Sequence, residues 1–266
     1  PPSTVLDVNF HNGWLSVWFN QPERRNPLTD AVVADLVAIL KNVRDDRSVR
    51  GLTLRGRGGV FCSGGDLKAF KSMRSENPSR DAILSMSKNG AELFHRLNEA
   101  PQVTIAMVEG AAMAGGFGVA CACDVVICDA NAKFAMTETR IGLSPAQISP
   151  LIIQKLGYAT ARRLMLTAAR FDAKEAHSLG FADFVAEGAP NLEVIERRIR
   201  ADVLACSPGA IADTKALILK LPSLDVSSTV DAAANVFADR LLSEDGAEGV
   251  ASFVEKRRPR WHVDEA

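Results

Sequence analysis

Two glycine-lined turns and one glutamate have the residue types and spacing to do chemistry. The first turn is Ser63-Gly64-Gly65 ahead of Asp66, within VFCSGGDLKAF (60–70). The second lies within IAMVEGAAMAGGFGVACACDVV (105–126), where Gly110, Gly115, Gly116 and Gly118 alternate with Ala111, Ala112 and Ala114. Each follows an apolar run of strand length and opens a helical run. Small residues where a strand hands over to a helix let the backbone approach a ligand closely. The helix's first-turn N–H groups stay unpaired there, with the positive end of its dipole behind them. Such a turn can hold a phosphate, or the oxygen of a carbonyl that becomes an oxyanion. It can equally serve close helix–strand packing alone. Gly65 and Gly115 are fifty positions apart, so the two turns together could present two N–H donors to one oxygen. Glu138, in Met136-Thr137-Glu138-Thr139-Arg140, precedes a Gly142-Leu143-Ser144-Pro145 loop. A carboxylate there could deliver and remove protons at adjacent carbons. The same spacing also fits a surface carboxylate paired with Arg140.

The elements that must position these residues follow from hydrophobic patterning. Residues 5–9 and Trp14–Phe19 alternate apolar and polar around His11-Asn12-Gly13, which predicts a β-hairpin. Gln21–Asn26 is a polar loop carrying Arg24 and Arg25. Thr29 or Asp30 then caps a helix with Val32, Val33, Leu36, Ile39 and Leu40 at helical spacing. Leu52–Arg55 reads as a strand, 71–80 as a polar mobile segment, and 81–98 as an amphipathic helix. Val103–Val108 and Asp124–Cys128 read as buried strands around the second turn. Helices are expected over 147–155, 160–167 and 173–179, and a strand over Phe181–Val185. From about 191 to 255 the pattern is helical, with breaks at Ser207-Pro208, Pro222 and near Glu244. Strands with interspersed helices first and helices last predict an α/β fold with a C-terminal helical appendage. Phe117, Met113 and Phe134 read as core.

A chain of 266 residues, 47% hydrophobic, can bury a large core. The net charge of −1 and the lack of a basic stripe argue against nucleic acid, although Lys256-Arg257-Arg258 forms a short basic run. No apolar run is long enough to span a bilayer, and the N-terminal residues do not read as a signal peptide. Five cysteines without framework spacing predict free thiols and a reducing, cytoplasmic compartment. No ligand set for a metal is apparent. The second glycine cluster also lacks the spacing and acidic partner of a dinucleotide fingerprint, so no nicotinamide cofactor is expected.

The two turns, together with RRNPLT (24–29) and FVEKRRPRW (253–261), resemble the enoyl-CoA hydratase/isomerase (crotonase) superfamily over essentially the whole chain. The resemblance implies a crotonase-like spiral of ββα units (1–190) and a C-terminal helical oligomerisation region (191–266) in a homotrimer or homohexamer. It implies an acyl-CoA thioester substrate, with coenzyme A as part of that substrate and no other cofactor. The oxyanion hole falls on the backbone N–H groups of Gly65 and Gly115, and the acid/base role on Glu138. Asp66 would cap the following helix. Coenzyme A contacts fall on Arg24, Arg25, Lys68 and Lys256, the last reaching a neighbouring subunit's ligand.

The chain departs from the family pattern at one point. Many hydratases carry a second glutamate where this chain has Gly118. Single-glutamate members include double-bond isomerases. The run from Glu138 to Pro150, together with Gly118, is most similar to a bacterial subgroup that hydrates 3-substituted glutaconyl-CoA esters. Arg140 would be a partner for the distal carboxylate of such a substrate, and Ser144 and Gln147 are candidates for positioning water. An enoyl-CoA hydratase is therefore expected, the alternatives being an isomerase or a catalytically weak acyl-CoA-binding member.

Overall fold

The computed structural model describes residues 3–265. The chain opens with the hairpin β1 (Leu6–His11) and β2 (Trp14–Phe19), joined by Asn12 and Gly13. Both turn residues have positive φ, 47° and 75°, as a tight hairpin requires. The short strand β3 (Pro27–Leu28) leads into α1 (Asp30–Val43), capped by the Thr29 side chain. Next come β4 (Gly51–Gly56), the two-residue β5 (Gly64–Gly65), α2 (Leu67–Ser75) and α3 (Arg80–Asn98). The segment 71–80 is thus largely helical rather than a mobile loop. The Asp66 carboxylate accepts from the N–H groups of Lys68 and Ala69 at 3.1 and 3.3 Å, which starts α2, and Ser79 caps α3.

The middle of the chain builds β6 (Val103–Val108), β7 (Ala111–Met113), α4 (Gly115–Ala122), β8 (Val125–Asp129) and β9 (Lys133–Ala135). A 3₁₀ turn, Glu138–Ile141, precedes α5 (Ser149–Leu156), α6 (Tyr158–Thr167), β10 (Arg170–Asp172), α7 (Ala173–Ser178) and β11 (Phe184–Ala186). The C-terminal helices are α8 (Gly188–Ala205), α9 (Pro208–Lys220), α10 (Val226–Leu242) and α11 (Glu244–Val254). Their breaks fall where Ser207, Asp225 and Ser243 cap the next helix. No helix among the described residues is long and apolar enough to cross a membrane.

One six-stranded sheet, β1-β2-β4-β6-β8-β11, organises the molecule, and only β1 runs antiparallel to its neighbour. A mostly parallel sheet is covered on both faces, and β4 is buried throughout. Along β6, Ala106 and Val108 face the main core, while Ile105 and Met107 face Trp14, Ile127 and Leu192 and Val203 of α8. A three-stranded sheet, β10-β9-β7, and the β3–β5 pair flank it. These strands of two or three residues are too short to show a period in sequence.

Helix α4 is apolar on every side, and Gly116–Ala122 are all buried. Phe117 projects from it into a cluster with Phe134, Phe171 and Phe181, stacking on Phe181 at 4.4 Å. Phe181 is therefore recruited to the core, and the strand expected over Phe181–Val185 starts only at Phe184. Because this cluster anchors the helix that begins at Gly115, Phe117→Ala is expected to cost about 3–5 kcal/mol. Urea denaturation of the variant beside wild type measures that loss.

Candidate active site

Parallel pairing brings the two glycine turns together. Cys62 bridges to Ala112: its N–H donates to the Ala111 carbonyl at 3.0 Å, and its carbonyl accepts from Met113 at 3.0 Å. The strands ahead of both turns are thereby laced to each other. Gly64 has φ +92°, and a Cβ on it would lie 2.7 Å from the Met113 carbonyl oxygen and 3.4 Å from Gly115 N. Only glycine fits that approach. A Cβ placed on Gly115 would lie 3.8 Å from Gly65 N, so the two backbones face each other across van der Waals distance.

Ala114 sets the direction of the second donor. It adopts φ 49° and ψ −121°, a conformation costing a residue with a Cβ about 1–3 kcal/mol. Its N–H donates to Ala135 at 2.8 Å and its carbonyl accepts from Gly118 at 3.1 Å. These bonds hold the strained peptide in place. The Gly115 N–H, first in α4, finds no acceptor among the described residues.

The first turn is braced from the other side. Pro27 and Leu28 of β3 pair with Gly64 and Gly65, and the Arg25 carbonyl accepts from Ser63 N at 3.0 Å. The buried Asn26 side chain donates to the carbonyls of Arg57 and Val60 at 2.9 and 2.6 Å and accepts from Gln21 N at 2.9 Å. Sequence reasoning missed Asn26 as the pin of this loop. Its only signal was the Asn-Pro dipeptide, a turn marker. Arg24 pairs with Asp66 at 2.6 Å; burial pushes the Asp66 carboxyl up, but Arg24 and the Lys68 and Ala69 N–H groups outweigh it and hold the carboxyl below its usual range. Arg24, Arg25 and Lys68 are exposed around the first turn. Lys256 is exposed at the end of α11, where φ is +54°. Arg257 beside it donates to both oxygens of the buried Glu248 at 2.6 and 3.0 Å, which helps hold that carboxyl at about 2.

A cavity of about 1190 Å³ opens over the turns, and Ser63, Gly65, Ala114, Gly115, Thr137 and Glu138 share its wall. None of the four basic residues lines it. Glu138 starts the 3₁₀ turn, whose fold-back is tied by Leu143 N donating to the Glu138 carbonyl at 3.0 Å. The glutamate is half-buried, and its Oε2 is fully buried without a hydrogen-bond partner. Burial pushes its carboxyl above the ordinary carboxylate range. The surface ion pair with Arg140 does not form. The Arg140 guanidinium donates instead to the Ala168 carbonyl at 3.2 and 3.1 Å and stands off the cavity wall.

The position of the absent second glutamate is closed. A Cβ on Gly118 would overlap Ile148, lying 2.8 Å from its Cβ, and would come 3.2 Å from Phe94 Cε1. Ile148 thus fills the space with hydrocarbon. Ser144 and Gln147 do line the cavity, and Gln147 Nε2 donates to Ser87 Oγ at 2.7 Å, tying the loop to α3. Together these groups present one unpaired carboxyl and a backbone donor at a strained turn, a pairing that can move a proton beside a carbonyl while holding its oxygen.

The profile of the enoyl-CoA hydratase/isomerase family matches residues 9–264. The chain belongs to that family. The human mitochondrial enoyl-CoA hydratase domain-containing protein 2 is 31% identical over 94% of this chain and 85% of its own length. Among solved structures, AtuE of Pseudomonas aeruginosa superposes with a TM-score of 0.93 at 41% identity, covering 97% of this chain and 99% of that one. An enoyl-CoA hydratase/isomerase from Marinobacter aquaeolei gives 0.92 at 37%, covering 97% and 98%. The crotonase-like α/β architecture is therefore the observed one.

Two stability predictions follow from the packing of this family member. The Glu138 carboxyl, raised in the folded state, is least costly when protonated. Wild type loses that advantage as pH rises through the raised pKa. Glu138→Gln is therefore expected to melt higher than wild type at pH 7, with the gap closing near pH 4 in paired thermal melts. Gly118→Ala, which forces a methyl into Ile148, is expected to cost about 1–3 kcal/mol in chemical denaturation.

Proposed function

We propose that the protein is an enoyl-CoA hydratase that adds water across the α,β double bond of an acyl-CoA thioester. The observation that carries this reading is the unpaired, half-buried Glu138 sharing one cavity wall with Gly65 and Gly115. In this mechanism the thioester carbonyl oxygen accepts from the N–H groups of Gly65 and Gly115. The Glu138 carboxylate takes a proton from water as the water oxygen bonds to C3. The electron pair of the double bond moves to form an enolate, whose oxygen the two donors stabilise. Glu138, now a carboxylic acid, gives its proton to C2 and is a carboxylate again. Burial that raises the Glu138 pKa brings it closer to a working pH, which suits one group acting as base and then acid. Backbone donors aimed at developing charge contribute on the order of 3 kcal/mol each.

Arg24, Arg25 and Lys68 border the first turn and suit the phosphates of coenzyme A. Lys256 would reach the ligand of a neighbouring subunit. Helix α10 has no buried residue and presents Val226, Val230, Phe237 and Leu241 to the outside. That unpartnered apolar face supports a homotrimer or homohexamer built through the 191–266 region. The free cysteines, four of them buried, support a reducing cytoplasmic setting. A 3-substituted glutaconyl-CoA remains the favoured substrate, on the resemblance over Glu138–Pro150 and Gly118. Since Arg140 is engaged at Ala168, the distal carboxylate would fall to Ser144 and Gln147.

A double-bond isomerase is the second reading, favoured by Ile148 occupying the space of a second carboxylate. A lone Glu138 could move a proton between C2 and C4 without water. Absorbance of the conjugated thioester separates the two. Its loss with crotonyl-CoA or 3-methylglutaconyl-CoA marks hydration, and its appearance from a 3-enoyl-CoA marks isomerisation. Glu138→Gln is expected to lower kcat by about 10²–10⁴. Turnover that survives this substitution would overturn the assignment of Glu138.

A further inference from the structure

A second cavity lies at the opposite end of the parallel sheet from the glycine turns. It holds about 520 Å³, inside the roughly 300–1,000 Å³ of small-molecule sites. No residue lines both this cavity and the one at Glu138. Its floor is the start of β6 at Val103, with Cys121 and Cys123 at the end of α4, and its roof is α9. Ala212 is the one buried residue of α9, so the helix stands off the core rather than packing down on it. Ile211 and Leu219 of α9 line the cavity with Val103 and the two thiols. Burial pushes both thiols up, so they add uncharged wall.

Two ammonium groups are anchored in that wall by a single aspartate. Lys215 Nζ donates to Asp124 Oδ2 at 2.7 Å and to the Gln102 carbonyl at 3.2 Å. Lys155 Nζ donates to the Asp124 carbonyl at 3.3 Å. Asp183 stands behind Lys155 at 3.6 Å and does not line the cavity. The lysine side chains are only 12% and 16% exposed. An ammonium carries three donors, so each lysine keeps at least one unspent. A cation so withdrawn from water gains from an anionic acceptor. Asp124 is the one carboxylate in the wall against the two ammonium groups. Inorganic phosphate offers nothing to the apolar part of this wall, and an alcohol leaves the ammonium groups unmatched. An apolar chain ending in one carboxylate matches both.

We propose that this cavity is a second binding site, for a small carboxylic acid with an apolar chain, separate from the reacting thioester. Lys155 and Lys215 hold the carboxylate, and Val103, Ile211 and Leu219 hold the chain. Cys206, the exposed one of the five cysteines, also lines the cavity and reports its occupancy without any assay of turnover. The test measures alkylation of Cys206 in the native full chain by the neutral reagent iodoacetamide, read by mass spectrometry, with octanoate, octan-1-ol or inorganic phosphate present. Millimolar octanoate is expected to slow alkylation about tenfold, and the other two to leave it unchanged. Lys155→Met is expected to abolish the protection by octanoate. Absence of protection by octanoate in wild type overturns the proposal, as does equal protection by octan-1-ol or by phosphate. So does protection that survives in Lys155→Met with a wild-type melting profile. A Cys206 that resists alkylation in the native protein but reacts in urea shows the cavity closed in the assembled molecule, and overturns it too. Should Lys155→Met fail to fold, octanoate against octan-1-ol in wild type still decides.

Discussion

The lacing of Cys62 to β7 is the contact on which the rest of the site depends. Two reciprocal hydrogen bonds, Cys62 N to the Ala111 carbonyl and Met113 N to the Cys62 carbonyl, bring two distant strand ends into register. Main-chain donors cannot be re-aimed by a rotamer change, so strand register and the Ala114 backbone conformation together control where they point. Every neighbouring residue type accommodates that closeness. A Cβ on Gly116 would come 2.7 Å from the Cys62 Cβ, and Gly64 takes a left-handed conformation against Met113. The strain at Ala114 is tolerated because the Ala135 and Gly118 bonds over-determine its peptide, and α4 beneath is locked by the phenylalanine cluster.

Beside the two glycine turns, the electrostatics of the cavity wall reduce to one carboxyl. Glu138 is partly withdrawn from water without the compensating partner that a buried carboxylate usually finds. That makes it destabilising as an anion and ready to accept a proton. Its neighbour in sequence, Arg140, would have quenched this property but is spent on the Ala168 carbonyl. Ile148 at the space beside Gly118 makes the cavity less polar still, and leaves no room for a second carboxylate. The chain thus belongs to the family over residues 9–264 with one carboxyl at the two turns and hydrocarbon beside Gly118.

Much of the scaffold is visible in the letters because its signals are local. The Asn12-Gly13 hairpin, the β6 strand at Val103–Val108 and the helix breaks at Ser207-Pro208 and Ser243-Glu244 each rest on a turn residue, an apolar run or a cap within a few positions. The short strands β3, β5, β7, β9 and β10 are not visible, since two or three residues carry no period and form only because a partner is already in place. The second half of helix α2, residues 71–75, was obscured by its polarity. Its cap at Asp66 outweighed the composition that reads as loop.

The sequence by itself determined the small-residue turns at Gly64–Gly65 and Gly115–Gly116, the absence of a carboxylate at 118, and a glutamate at 138 followed by a loop. These are statements of residue type, and steric permission is a property of type. Whether Glu138 was a surface ion pair or an unpaired group in a cavity was decided only by tertiary structure. So were the plugging of the Gly118 space by Ile148, thirty positions away, and the pinning of the Arg24 loop by Asn26. The reason is the same in each case: burial, desolvation and contact depend on which distant segments arrive at a point, and strand pairing sets that meeting place.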